Sequence, residues 1–358
     1  MSLVRHPPNR NSPALLKVSR TIKVAVLGVG ALGQHHARIY SELQKAGKIQ
    51  FIGLYDANPE RAKEIAGHHG IQILSSPEAV LTSAEAVSIV TPTTTHFELA
   101  GQFLKAGCHV LVEKPMTEDA TQAAQLVQLA QDKKCVLQVG HVERFNPVFD
   151  YLQSVANEPR FIETHRLSPY PKRSLDVGVV LDLMIHDLDI VMAFVDSPIK
   201  EVDAVGVSVL SESEDIANAR VKFENGCVAN LTVSRVSPER MRKIRVFSGG
   251  ESSSYVSLDY QKQEGYIYRI AAEGAEKSSL WQKLLHAKDT AIVSEFAGKK
   301  VVREPVPIEK EEPLKLELQH FVQCVAEKQT PKVSGEAGRQ ALEVALEITR
   351  QIQNLESA

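Results

Sequence analysis

Between positions 21 and 140 short apolar runs alternate with helical patterns, and that alternation leaves few architectures open. The runs at 22–27, 49–55, 86–90, 109–112 and 136–139 are almost continuously apolar, with helical periodicity at 31–45, 58–68, 96–105 and 118–133. Strands that lack polar alternation are buried on both faces, which calls for a parallel sheet covered by helices above and below. Residues 21–142 are therefore expected to form a doubly wound α/β domain. Beyond them the rhythm changes. A helix at 147–156, a strand at 161–167 and a helix at 178–195 precede runs at 202–210, 217–223, 227–234, 244–247 and 254–258 with no helix between them. Asn225-Gly226 is a hairpin turn, and successive strands of this kind imply a mostly antiparallel sheet. Helices at 313–328 and 336–354 close an α+β domain over 143–358, the last of them free to pack back on the first domain. Residues 272–300, which hold the lone Trp281, give no clear element.

A chain of 358 residues suits two cores. A net charge of −3 and the absence of any basic stripe argue against a nucleic-acid partner. No apolar run approaches the roughly 20 residues of a membrane span. Residues 1–20, with prolines and basic residues but no apolar stretch, read as a flexible arm and not as a secretory leader. Cys108, Cys135, Cys227 and Cys324 are widely spaced, as expected of reduced structural thiols in a cytoplasmic protein.

The first strand runs into Gly28-Val29-Gly30-Ala31-Leu32-Gly33, a G-x-G-x-x-G at a strand-to-helix junction. In a Rossmann domain the first glycine allows the tight turn, the second admits a pyrophosphate, and the third lets helix and strand pack closely. Asp56 ends the second strand about 20 residues further on, the place of a carboxylate that accepts ribose hydroxyls. It favours NAD by repelling a 2′-phosphate. Arg61, a helical turn later, can offset that charge and keeps NADP open as the lesser alternative. Thr91, Pro92, Thr93 and His96 form a polar loop at the carboxyl edge of the sheet, where such folds bind ligands. An ordinary turn and helix cap is the competing reading of the threonines.

Glu113-Lys114-Pro115 ends the fourth apolar run at the same edge, and proline biases Lys114 toward extended backbone. The stretch 178–195 is apolar nearly all round except for Asp182, His186, Asp187 and Asp189. Helical spacing puts Asp182, His186 and Asp189 on one face. Asp182 can orient His186 and stabilise its cation, and an imidazole titrating near neutrality suits removal of an alcohol proton. A plain polar stripe and a divalent-metal site are the rival readings. No further His or Cys ligand lies nearby in sequence, so no metal is expected.

Taken together these residues resemble the glucose–fructose oxidoreductase/inositol dehydrogenase/MocA family from position 21 onward. The resemblance rests on the glycine loop followed by His36, Asp56 before Pro59-Glu60-Arg61-Ala62, Thr91-Pro92 with His96, Glu113-Lys114-Pro115, and Gly178 through Asp182 to His186. It implies NAD-dependent oxidation of a secondary hydroxyl with Lys114, Asp182 and His186 as catalytic residues. It places the cofactor against Gly28, Gly30, Ala31, Leu32, Gly33, Asp56, Arg61, Thr91, Pro92, Thr93, His96, Glu113 and Lys114. It also implies an open sheet in the second domain that builds a homodimer or homotetramer.

The segments Gly140-His141-Val142-Glu143-Arg144-Phe145-Asn146-Pro147 and Ser234-Arg235 to Met241-Arg242 resemble the bacterial branch that oxidises the 3-hydroxyl of UDP-N-acetylglucosamine. Substrate contacts are then expected from Glu143, Arg144 and Asn146, with Arg166, Tyr170, Lys172, Arg173 and Arg235 at the diphosphate. A dehydrogenase of a free sugar or polyol is the nearest alternative. A non-catalytic NAD(P)-binding regulator is the alternative of another class, but it has no use for Lys114, Asp182 and His186 together.

Overall fold

The computed structural model describes residues 21–156, 158–170, 177–249, 253–270, 291–296 and 299–356. The expected arm at 1–20, Lys172, Arg173 and Trp281 lie outside them. The chain forms two compact units: Met1–Phe145 with Glu312–Glu343, and Asn146–Glu311 with Val344–Ala358.

In the first unit β1 (Ile22–Leu27), α1 (Gly33–Lys45), β2 (Ile49–Tyr55), α2 (Pro59–His69), α3 (Pro77–Leu81), β3 (Ala86–Ile89), α4 (His96–Lys105), β4 (His109–Glu113), α5 (Ala120–Lys133) and β5 (Leu137–Gly140) follow in order. The strands pair in parallel as β2-β1-β3-β4-β5. Chain direction across the sheet reverses at β1, so the loops after β1 and β3 diverge at their carboxyl ends and leave a crevice there. The β3 and β5 side chains are buried throughout, as expected of strands covered on both faces. A late helix, α8 (Pro313–Glu327), completes this unit. Leu314, Leu318, Phe321, Val322 and Val325 recur at helical spacing and join the core of β1, β2 and α1.

The second unit opens with α6 (Pro147–Val155) and β6 (Pro159–Leu167). A π turn at Val180–Met184 then runs directly into α7 (Ile185–Val195). Eight strands follow: β7 (Ile199–Val207), β8 (Ile216–Phe223), β9 (Val228–Ser234), β10 (Met241–Ser248), β11 (Ser254–Asp259), β12 (Glu264–Ile270), β13 (Ala291–Phe296) and β14 (Lys299–Pro305). Among the described residues they form with β6 one nine-stranded sheet, ordered β13-β14-β12-β11-β10-β6-β9-β8-β7. Only β6 and β9 run parallel; the other pairs are antiparallel. Gly226 takes φ 84° in the Asn225-Gly226 hairpin between β8 and β9. Alternation assigns the two faces: Ala229, Leu231, Val233, Ile244, Val246, Val256 and Leu258 are buried, and α6 and α7 pack against this sheet. The opposite face carries a row of rings across β6, β10, β11 and β12. Phe161, Phe247, Tyr255 and Tyr268 have successive centroid distances of 5.8, 4.6 and 4.9 Å. The last helix, α9 (Gly335–Glu356), begins in the first unit and ends in the second.

The short α3 and the strands β12, β13 and β14 go beyond what the sequence predicts. The predicted 178–195 helix is also not a uniform α-helix, because its first turn is a π turn.

Candidate functional site

The glycine loop is shaped as a phosphate cradle. Gly28 has φ 83°, and a Cβ there would stand 2.5 Å from the Val90 carbonyl oxygen. A Cβ on Gly33 would overlap the Gly28 carbonyl. Gly30 differs, because a Cβ on it would meet no protein atom within 4 Å. Its lack of a side chain keeps open space beside the start of α1, where the Leu32 N-cap makes no side-chain hydrogen bond to the helix. Exposed Gly30, Ala31 and Leu32 therefore surround free N–H donors at a helix N-terminus, as a pyrophosphate requires. The residues present fit a bound dinucleotide.

Beside this loop lies a cavity of about 590 Å³, lined among others by Gly28, Gly30, Asp56, Thr91, Pro92 and Leu99. The Asp56 carboxylate accepts the Val29 N–H at 2.7 Å and the Asn58 N–H at 2.8 Å. It holds the loop, and its remaining lone pairs stay available for ribose hydroxyls. The Arg61 guanidinium donates to the Val29 carbonyl at 2.9 Å and to Glu64 at 2.8 Å. Arg61 is therefore a brace of the loop whose charge Glu64 already answers, not the counterweight to Asp56 that the sequence allowed.

Two expected cofactor residues are turned inward. His96 is buried, with Nδ1 2.9 Å from the Pro115 carbonyl and Nε2 2.9 Å from the Thr91 carbonyl. It links the loops after β3 and β4. Burial lowers its pKa, and the two carbonyls partly restore it. Glu113 is buried with Oε1 3.2 Å from His36 Nε2, and a Cβ on Gly140 would stand 2.5 Å from its carboxylate. Both side chains hold the backbone on either side of Lys114 and are spent inside the protein. Thr91 and Thr95 share a hydroxyl contact of 2.7 Å, and Thr93 is half-buried in a 3₁₀ turn with Thr94 and Thr95.

Lys114 is half-buried, and its bond to Pro115 is cis. Sequence reasoning missed its electrostatic neighbour, the buried His141. Burial, then the positive charges of Lys114 and Arg144, push the His141 imidazole down to about 3. Glu143 and Arg144 are also buried, and Arg144 donates to the Lys332 carbonyl at 3.2 Å. Asn146 caps α6 by accepting the Val148 N–H, and it donates to the Tyr260 carbonyl at 3.0 Å. Its expected substrate contact gives way to this structural role.

In the second unit Asp182 lies on the π turn and His186 on the first turn of α7, both half-buried. Asp187 and Asp189 are buried. The expectation that Asp189 shares an open stripe with Asp182 and His186 is corrected, because Asp189 is 3% exposed while those two are half-buried. The π turn widens the turn that separates Asp182 from His186. Arg166 is corrected too. Its Nε stands 3.1 and 3.2 Å, and its Nη2 2.8 Å, from the Asp187 carboxylate in a buried ion pair. Arg235 is 0% exposed and bonded to Asp215 at 2.7 Å. Both guanidinia are buried and paired with carboxylates of the second unit. Tyr170 is exposed. Among the described residues no three His, Cys, Asp or Glu side chains could hold a metal ion.

An oxidoreductase family model with an NAD-binding Rossmann fold, GFO_IDH_MocA, matches residues 22–141, and the GFO/IDH/MocA C-terminal domain model matches 152–252. UDP-N-acetylglucosamine 3-dehydrogenase of Acidithiobacillus ferrooxidans is 36% identical over 328 residues, covering 91% of this chain and 96% of that protein. The chain belongs to the GFO/IDH/MocA oxidoreductase family. A crystal structure of the Acidithiobacillus enzyme superposes on this family member with TM-score 0.82 and 35% identity, covering 94% of this chain and 98% of the other. The scyllo-inositol 2-dehydrogenase (NAD(+)) of Bacillus subtilis is 26% identical, covering 93% of this chain and 94% of that protein. This oxidoreductase uses NAD, and the loop built on Gly28, Gly30 and Gly33 has the shape to receive it.

Proposed function

We propose that the chain oxidises the 3-hydroxyl of UDP-N-acetylglucosamine to the 3-keto sugar nucleotide. The observation that carries this reading is the 36% identity to a dehydrogenase of that substrate along almost the full length of both chains. When bound, NAD supplies the hydride acceptor. The chain's own residues handle the proton. His186 accepts it from the hydroxyl, and Asp182, four residues earlier on the π turn, steadies the imidazolium that results. The Lys114 ammonium donates a hydrogen bond to the same oxygen as it becomes a carbonyl. With Arg166 and Arg235 committed to Asp187 and Asp215, Tyr170, Lys172 and Arg173 remain the proposed contacts of the diphosphate.

The cytoplasmic setting and the homo-oligomer belong to the same proposal. Four free thiols support the first, and the half-buried ring row containing exposed Phe247 supports the second.

Losing two expected diphosphate cations makes a free polyol the reading to exclude. NADH formation is measured with UDP-N-acetylglucosamine and, separately, with free inositols. Turnover of the nucleotide sugar alone is expected; turnover of an inositol with none of the nucleotide sugar overturns the proposal.

A further inference from the structure

Glu214 lies in the connection between β7 and β8, is 4% exposed, and reaches the start of the π turn. Its Oε1 accepts the Val180 N–H at 3.2 Å, and its backbone carbonyl accepts the Val179 N–H at 3.0 Å. The first N–H groups of a helix have no partner within the helix, and a nearby negative charge is stabilised by its dipole. Glu214 answers both needs. A Cβ on Gly178 would overlap the Glu214 carboxylate, so the glycine is the room this contact requires.

The segment carrying Glu214 is itself fixed. Asp215 Oδ2 accepts the N–H groups of Val209, Leu210 and Ser211, and Oδ1 accepts from the Ser211 hydroxyl and from Arg235 Nε. Burial pushes the Asp215 carboxyl up, but these donors outweigh it and hold the group well below the usual carboxylate range. Arg235 then extends Nη1 to the Val177 carbonyl at 2.8 Å. Residues 177, 179 and 180 are thus gripped by the Glu214–Asp215–Arg235 group immediately before Asp182.

We propose that Glu214, held by Asp215 and Arg235, is a positioning residue that sets the turn bearing Asp182 and His186 for proton transfer. This rests on the catalytic assignment of Asp182 and His186 made above. Misplacing a catalytic group by about 1 Å can cost about 100-fold in rate, so the effect falls on kcat. NAD binding belongs to the other unit and is spared.

The test uses the full chain as wild type, His186→Ala, Glu214→Ala, Glu214→Gln and Glu214→Asp. Steady-state NADH formation from UDP-N-acetylglucosamine gives kcat and KM, and fluorescence titration gives the NAD Kd. Glu214→Ala is expected to lose about 10- to 100-fold in kcat with KM and NAD Kd nearly unchanged. Glu214→Gln, whose amide oxygen still accepts the Val180 N–H, is expected to recover most of that loss. Glu214→Asp, one methylene too short, is expected to stay slow. If Glu214→Ala does not fold, the contrast between Gln and Asp decides in the same way. Wild-type kcat in Glu214→Ala beside an inactive His186→Ala overturns this proposal alone, and so does a Gln variant as slow as Asp. Undiminished turnover in His186→Ala overturns the catalytic assignment and this proposal with it.

Discussion

At the scale of single residues, charge in this protein is spent largely on itself. Arg61, Glu113, Arg166 and Arg235 each have the residue type a ligand would call for, yet each is engaged by a partner within its own unit. Sequence identifies a charged side chain but not its partner, because the partners lie far along the chain: Arg166 meets Asp187 across 21 positions, and Glu113 meets His36 on α1. His141 shows the cost of burying a titratable group. Its folded value of about 3 lies below the ordinary 6.5, so between those limits the unfolded chain binds a proton that the folded protein refuses. Folding stability from this group is complete above pH 6.5 and is lost as pH falls toward 3, by up to about 1.4 kcal/mol per pH unit. Urea unfolding from pH 7 to 4 should therefore show a steeper loss for wild type than for His141→Gln. Equal slopes would remove His141 from the acid response.

Among the elements, the first unit was readable because its strands are continuous apolar runs and its helices α2 and α5 carry local caps. Asn58 accepts from Glu60 and Arg61 at the start of α2, and Asp119 accepts from Gln122 at the start of α5. The glycine loop was readable for the same reason, since its chemistry lies in adjacent residues. α3 was not, because five residues are too few for a period even with Ser76 capping it and Pro77 following. In β12 the rings of Tyr266 and Tyr268 alternate with buried Ile267 on a sheet face that carries other rings, which blurs the inside–outside contrast. β14, with Lys299, Lys300 and Arg303, breaks the apolar pattern with charge. The π turn was invisible because hydrophobic pattern reports a period and not an inserted residue. The helix that follows it, α7, is braced from the sheet through Asp187 by Arg166 on β6. Replacing it with alanine leaves Asp187 buried without its bidentate partner, so Arg166→Ala should cost about 3–5 kcal/mol of unfolding free energy in urea titrations. A loss under about 1 kcal/mol would mean the pair holds nothing.

For the molecule as a whole, the division of labour follows the division of the chain. The first unit holds the nucleotide loop, Asp56 and Lys114; the second holds Asp182, His186 and the network that grips their turn. No described helix is long and apolar enough to cross a membrane. Reaction class could be read from motifs that lie at strand ends. Substrate was legible only as a resemblance carried by the segments 140–147 and 234–242, because no single fixed spacing marks a nucleotide-sugar site. The transferred atom reports on both at once. Wild-type enzyme is given NAD and UDP-N-acetylglucosamine carrying deuterium at C3, and the NADH formed is weighed by mass spectrometry. NADH bearing one deuterium is the expected result; NADH without deuterium, or no NADH at all, would contradict it.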